Sequence, residues 1–180
     1  YADRRVCVCD YRNSAYISVL LIQDHDPWAT DSNEDTLGAL LTQGKIDSWE
    51  KKTTSQILNG DVNFNNYSLI LFANDQGQAM YNNYARFADE LETYVENGGA
   101  LVFGACDSGW MTGTINVPLP GGATTAVKYD HNNYIVDTTS PVVTGEYTDG
   151  TSLLESQLYG NYCSHNFFTS IPDNANVIFE

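Results

Sequence analysis

Positive charge is scarce in this chain. Eight Lys and Arg stand against 23 Asp and Glu in 180 residues, for a formal net charge of −15. A field of that sign repels nucleic acid and anionic membranes, so neither is an expected partner. The imbalance comes from missing base more than from added acid, since 17% of residues are charged against about 25% in ordinary domains. Long apolar runs are missing too. None approaches the roughly 18–20 residues a membrane-spanning helix needs, which excludes membrane insertion by helices. The four cysteines, Cys7, Cys9, Cys106 and Cys163, lack zinc-site spacing, because Cys7-Val8-Cys9 is tighter than a CxxC knuckle. No internal repeat and no low-complexity tract is present.

Asn, Thr, Ser, Gly and 12 Tyr carry the polarity instead. Such a surface points to a secreted or cell-surface protein. In that setting four cysteines imply two disulfides, with three connectivities open. Cys7 and Cys9 share one face of an extended segment and are badly placed to bond each other. Asn66-Tyr67-Ser68 is a standard N-glycosylation sequon. The length suits one domain. The chain opens at Tyr1 without a leader, as a processed precursor or excised domain would. It closes on "ANVIFE", which reads as a strand returning to the main sheet, so the natural polypeptide is expected to continue past Glu180.

Three apolar runs end in acid: "YISVLLIQD" (16–24), "YSLILFAND" (67–75) and "ALVFGACD" (100–107). Continuous apolar runs of this length fit strands buried on both faces of a parallel sheet. Between the first two, Ser32 or Asn33 offers a helix cap, Glu34 and Asp35 suit a first turn, and Leu37, Leu40 and Leu41 make an apolar stripe stopped by Gly44. "KIDSWEKKTT" reads as a more exposed strand. Residues 78–97 give the clearest helix, with Met80, Tyr84, Phe87, Ala88, Leu91, Tyr94 and Val95 at three- and four-residue steps before Gly98-Gly99. After Gly109 the texture turns β-rich, with short strands and long loops expected and a brief helix in "SLLESQLYG". The organisation is thus an N-terminal arm or extra strand (1–15), pairing with its own sheet or a neighbouring subunit, and an α/β domain (16–180).

The segments "SVLLIQDHD", "ALLTQGKIDSWE", "NNYSLILFAND" and "LETYVENGGALVFGACD", with the later "NYIVDTTSPVVTG" and "HNFFTSIPDNANVIFE", resemble the class I glutamine amidotransferase-like superfold, in the divergent branch found in secreted and surface proteins. The resemblance implies a flavodoxin-like three-layer sandwich with a mainly parallel central sheet and a β-rich C-terminal excursion. In active members a cysteine in a Gly-x-Cys-x-Gly turn attacks a carbonyl, assisted by a His-x-Glu pair. Cys106 occupies the elbow position, but this sequence has no His-x-Glu pair.

Cys106 therefore has His25 as its best-placed base, beyond the first strand. His131 and His165 are the other histidines, and His165 could approach only through a loop. Asp107 and the acidic chain would hold the thiol protonated rather than activate it. Strand ends of a parallel sheet share one edge, where α/β sheets bind ligands. That edge would gather Asp24, Asp75 and Asp107, with Asp26, Asp31, Glu34 and Asp35 nearby. Carboxylates so crowded suggest calcium, with Asp24, Asp26, Asp75 and Asp107 as ligands. The loop is no EF-hand, for it lacks the sixth-position glycine. Trp28 and Trp110 fall near the same edge and could stack on carbohydrate. The expectation is a non-catalytic extracellular domain for binding or assembly. One alternative is a Cys106-dependent hydrolase or amidotransferase-like enzyme. The other is a subunit of an extracellular filament or layer, joined through its N-terminal arm.

Overall fold

The computed structural model describes residues 16–104, 110–146 and 150–179, with backbone alone at 129–131 and 161–165. The N-terminal arm with Cys7 and Cys9, and the turn holding Cys106 and Asp107, lie outside the described residues.

Four parallel strands form the central sheet in the order β2-β1-β3-β4: β1 (Ser18–Ile22), β2 (Ser48–Lys52), β3 (Leu69–Phe72) and β4 (Ala100–Phe103). The helices are α1 (Ser32–Thr42), α2 (Thr54–Leu58), α3 (Gln78–Glu96) and a short α4 (Pro141–Thr144). A parallel strand flanked by helices must be apolar on both faces. β1 meets that demand with all five residues buried. Its alternation sorts them into two cores. Leu20 and Ile22 join Ile70 and Phe72 under α2 and α3, while Val19 and Leu21 face Leu37 of α1 with Ile46 and Ala73. The three-layer α/β arrangement expected from the sequence is present.

α3 supplies most of the first core. Met80, Tyr84, Phe87, Leu91 and Tyr94 are buried as their spacing predicts, and so is Tyr81, which lies one step off the stripe. Tyr81 is buried because the chain after β4 crosses α3 at that point. α1 starts one residue earlier than the sequence suggested, with Asp31 at the cap position and no side-chain cap bond. α2, though only five residues long, carries a full capping box, with Thr53 Oγ1 accepting from Gln56 N–H and Gln56 Oε1 accepting from Thr53 N–H.

Three expectations need correction. β4 is not buried on both faces: it is the edge strand of the described sheet, and Val102 is 52% exposed because no described helix covers that side. The β-rich excursion is not a set of short strands. It is one long antiparallel pair, β5 (Thr124–Asn132) with β6 (Tyr159–Ser170), forming its own sheet. "ANVIFE" does not return to the main sheet. Its described part is irregular, with a single bridge from Phe179 to Ile135, and the Ile178 carbonyl accepts from Val136 N–H and Asp137 N–H.

At the opposite, amino end of the sheet, the Tyr67 hydroxyl donates to the Glu50 carboxylate. Burial and this bond push the Tyr67 phenol up to about 12. The bond in turn holds Glu50 below the usual carboxylate range, with help from Lys52. A phenol raised in the folded state stabilises the fold fully below its ordinary value near 10 and loses that contribution as pH climbs toward 12. Tyr67→Phe is expected to remove this dependence, so its Tm should fall less than that of wild type between pH 10 and 12 in scanning calorimetry. Parallel slopes would show that the pair carries nothing. Asn66 of the sequon is exposed beside this pair, with its carbonyl accepting from the Ser18 hydroxyl.

Candidate functional site

The carboxyl ends of β1 and β3 open into two loops that are tied together by side chains. Asp75 follows β3 and is fully buried, with φ of +48°. Its Oδ2 accepts from Trp28 N–H at 2.8 Å, and its Oδ1 accepts from Met111 N–H at 3.1 Å. One carboxylate thus joins the loop after β1, the loop after β3 and the chain returning from β4. Charge-assisted bonds from backbone N–H groups are the strong kind. They also satisfy a charge that would otherwise be costly to bury.

Gln76, 1% exposed, continues the clasp. Its Oε1 accepts from Asp24 N–H and His25 N–H, both at 2.9 Å. Its Nε2 donates to the carbonyls of His25 at 2.7 Å and Asn74 at 2.9 Å. Asp24 turns toward α2 instead. Its Oδ1 accepts from Thr54 N–H and its Oδ2 from the Thr54 hydroxyl, each at 2.7 Å, and Asn83 Nδ2 donates to that same hydroxyl at 2.9 Å. Gln23, 2% exposed, completes the frame, donating to Asp26 Oδ1 and accepting from Asn33 Nδ2.

The backbone is strained here and nowhere else among the described residues. Trp28, Ala29, Asp75 and Thr112 are the non-glycine residues with positive φ, at 49°, 56°, 48° and 55°. All four belong to these loops. Each such residue costs on the order of 1–3 kcal/mol and persists only where its surroundings hold it. His25 and Asp26 are exposed, and the His25 ring lies near Gly77 and Met111, with 3.9 Å from its Cδ2 to the place a Gly77 Cβ would take. Trp110 is 72% exposed at the head of the returning segment. That segment continues over α3 through a Gly77–Thr112 bridge, paired Gln78 and Thr114 bonds, and the Tyr84 hydroxyl on the Pro118 carbonyl. Burial pushes that phenol upward, with the Glu92 charge adding to it.

The sequence expectations divide at this edge. Asp24, Asp75, His25, Trp28 and Trp110 are gathered as predicted. Asp24 and Asp75 direct both oxygens at N–H and O–H donors, Asp26 pairs with Gln23 and lies 4.0 Å from Lys51, and Asp107, the fourth residue of the expected cation site, lies outside the described residues. Among the described residues no three His, Cys, Asp or Glu side chains converge as a metal site would require. The crowding of acids near α1 is relieved partly by Lys51, which pairs with Glu34 and is raised by that bond. Asp107, Cys106, Cys7 and Cys9 lie outside the described residues, as do the side chains of Cys163, His131 and His165. Gln76, Thr54, Asn83 and Gln23 were missed. They are uncharged, and only the positions of Gln23 just past β1 and Gln76 just past β3 could have drawn attention to them.

No family model matches the chain. An uncharacterized protein of Clostridium acetobutylicum is 29% identical over 161 residues, a match that takes in 89% of this chain. The chain spans about 15% of the length of that relative. No helix among the described residues is long and apolar enough to cross a membrane. The crystal structure of a glutamine amidotransferase from Thermotoga maritima is similar over 92% of this chain and 67% of that one, with a TM-score of 0.52 at 13% identity. At that identity the likeness is one of backbone architecture. The chain has the class I glutamine amidotransferase-like fold, built here as a four-stranded parallel sheet followed by a two-stranded antiparallel one.

Proposed function

We propose that the chain is a non-catalytic binding module of an extracellular or cell-surface protein, and that the carboxyl edge of its sheet holds a neutral carbohydrate. The observation that carries this reading is Trp110, 72% exposed on a segment fixed from below by the buried Asp75 carboxylate. An indole presented on a rigid support is a stacking platform for a sugar ring, and large aromatics dominate binding where they are preorganised. The carboxylates beneath it are engaged in holding loops, which suits a scaffold better than acid–base chemistry. His25, exposed at the rim, is available for a hydroxyl group.

Titration with neutral oligosaccharides, followed by tryptophan fluorescence after a glycan-array survey, tests the reading. Trp110→Ala is expected to weaken binding at least about tenfold while leaving the Tm within about 2 °C, as for other exposed positions. Retained affinity in that variant, or an array with no sugar bound, would defeat it. The second reading, a Cys106-dependent enzyme, draws on His25, whose ring lies beside Gly77 at the carboxyl edge. Iodoacetamide labelling of Cys106 that persists below neutral pH, together with ammonia release from glutamine, would favour it.

A further inference from the structure

The described sheet stops at β4. Backbone bonds from Ala100 N–H to Ser68 O and from Gly104 N–H to Phe72 O fix which residues of β4 face β3. By the two-residue period of a strand, Leu101 and Phe103 turn their own N–H and C=O groups outward, where no described strand meets them. An unpaired row of this kind is a template for another strand. Directly beside it, on the α3 side of the sheet, lies an apolar cavity of about 660 Å³. Leu101 and Phe103 form one wall, Val95 of α3 another, and Phe168 and Val177 the far side. Glu92 is the charged residue on its rim.

From these observations we infer that the β4 edge and its cavity accept an extended segment of another polypeptide, added as a fifth strand. Residues directly opposite on paired strands point to the same face, so alternate side chains of the incoming strand would enter the cavity next to Leu101 and Phe103. Those side chains must be apolar. The others would lie along the exposed side, next to Val102. Charge selects the partner: with −15 on the chain and Glu92 at the rim, the segment carries lysine or arginine at its ends, and a second copy of this acidic chain is repelled. The chain's own residues 175–179 line the opposite wall but are held by Val136 N–H on the Ile178 carbonyl at 2.9 Å. This surface is distinct from the carboxyl edge, and the inference stands independently of the sugar assigned there.

A fluorescein-labelled nonapeptide alternating valine and threonine between terminal lysines is a suitable probe, read by fluorescence anisotropy with the whole chain. Saturable binding is expected. N-methylation of one alternate set of its amides should weaken binding at least tenfold and that of the other set much less, because only one set faces β4. Val95→Lys, at a 38% exposed helix position, should also weaken it about tenfold. Leu41→Lys on α1 and Trp110→Ala should leave it unchanged, which separates this surface from the sugar site. The inference is overturned by absent saturable binding, by equal effects of the two N-methylated sets, or by Val95→Lys binding as wild type does. Sedimentation showing a dimer of the wild-type chain that Val95→Lys dissolves would assign the edge to a second copy and overturn it equally.

Discussion

Asp75→Ala is expected to lower the unfolding free energy by about 3–5 kcal/mol, measured by urea denaturation. Two effects add. The substitution leaves Trp28 N–H and Met111 N–H without the buried carboxylate that accepts from them. It also places alanine at φ of +48°, where aspartate and asparagine are better tolerated. Asp75→Asn separates the two. It keeps the backbone preference and one acceptor oxygen while turning an amide N–H₂ toward the other donor. About half the loss is expected for it. Equal losses in both variants would place the whole effect in the charge, and a loss below about 1 kcal/mol in the alanine variant would show that the carboxylate does not hold the loops. Because Met111 adjoins Trp110, Asp75→Asn should also weaken any ligand that stacks there.

Gly113→Ala is expected to cost about 3 kcal/mol, at the high end for overpacking. A Cβ at this position would sit 2.1 Å from the Gln76 carbonyl oxygen and 2.6 Å from the Tyr81 ring. Neither neighbour can yield cheaply. Gln76 is 1% exposed and Tyr81 fully buried, and Gln76 is bonded to both flanking loops. The returning segment must therefore lift from α3, taking Trp110 with it. Gly38→Ala provides the contrast. Gly38 lies inside α1 with nothing within 4 Å of a new Cβ, so alanine there should stabilise by about 0.5–1 kcal/mol through helix propensity. If both variants shift stability alike in thermal melts, the close approach at Gly113 is not what the geometry describes.

Both predictions concern the segment from Trp110 to Thr114, which reads from sequence as the start of a β-rich region with an aromatic near the ligand edge. The strands that frame it were legible. "SVLLI" and "LILF" are apolar without alternation, which a strand covered on both faces requires. The α3 stripe was legible for the same reason, since a helix lying on a sheet repeats its contact every 3.6 residues. "ALVF" looks identical in kind, yet it is an edge. Nothing within four residues encodes whether a neighbour is present on the far side.

The carboxyl edge divides similarly. That Asp24 and Asp75 share it followed from two parallel strands ending in acid. What their oxygens do did not follow. The donors that meet them are backbone N–H groups of residues 28, 54 and 111 and the Thr54 hydroxyl, distant in sequence and silent in composition. Gln76 was passed over because an amide announces no charge, although it makes more cross-loop bonds than either aspartate.

By itself, then, the sequence determined the layers, the parallel sheet, the principal helix and the end of the sheet where polar groups collect. All of these rest on local periodicity and on strand direction, which residues a few positions apart specify. The tertiary structure alone decided that β4 lies at the edge of the described sheet, that the C-terminal region pairs with itself as β5 and β6, and that Asp24 and Asp75 clasp loops. Each of those outcomes depends on which distant backbone groups are left to bond, a quantity set only when the whole chain has folded.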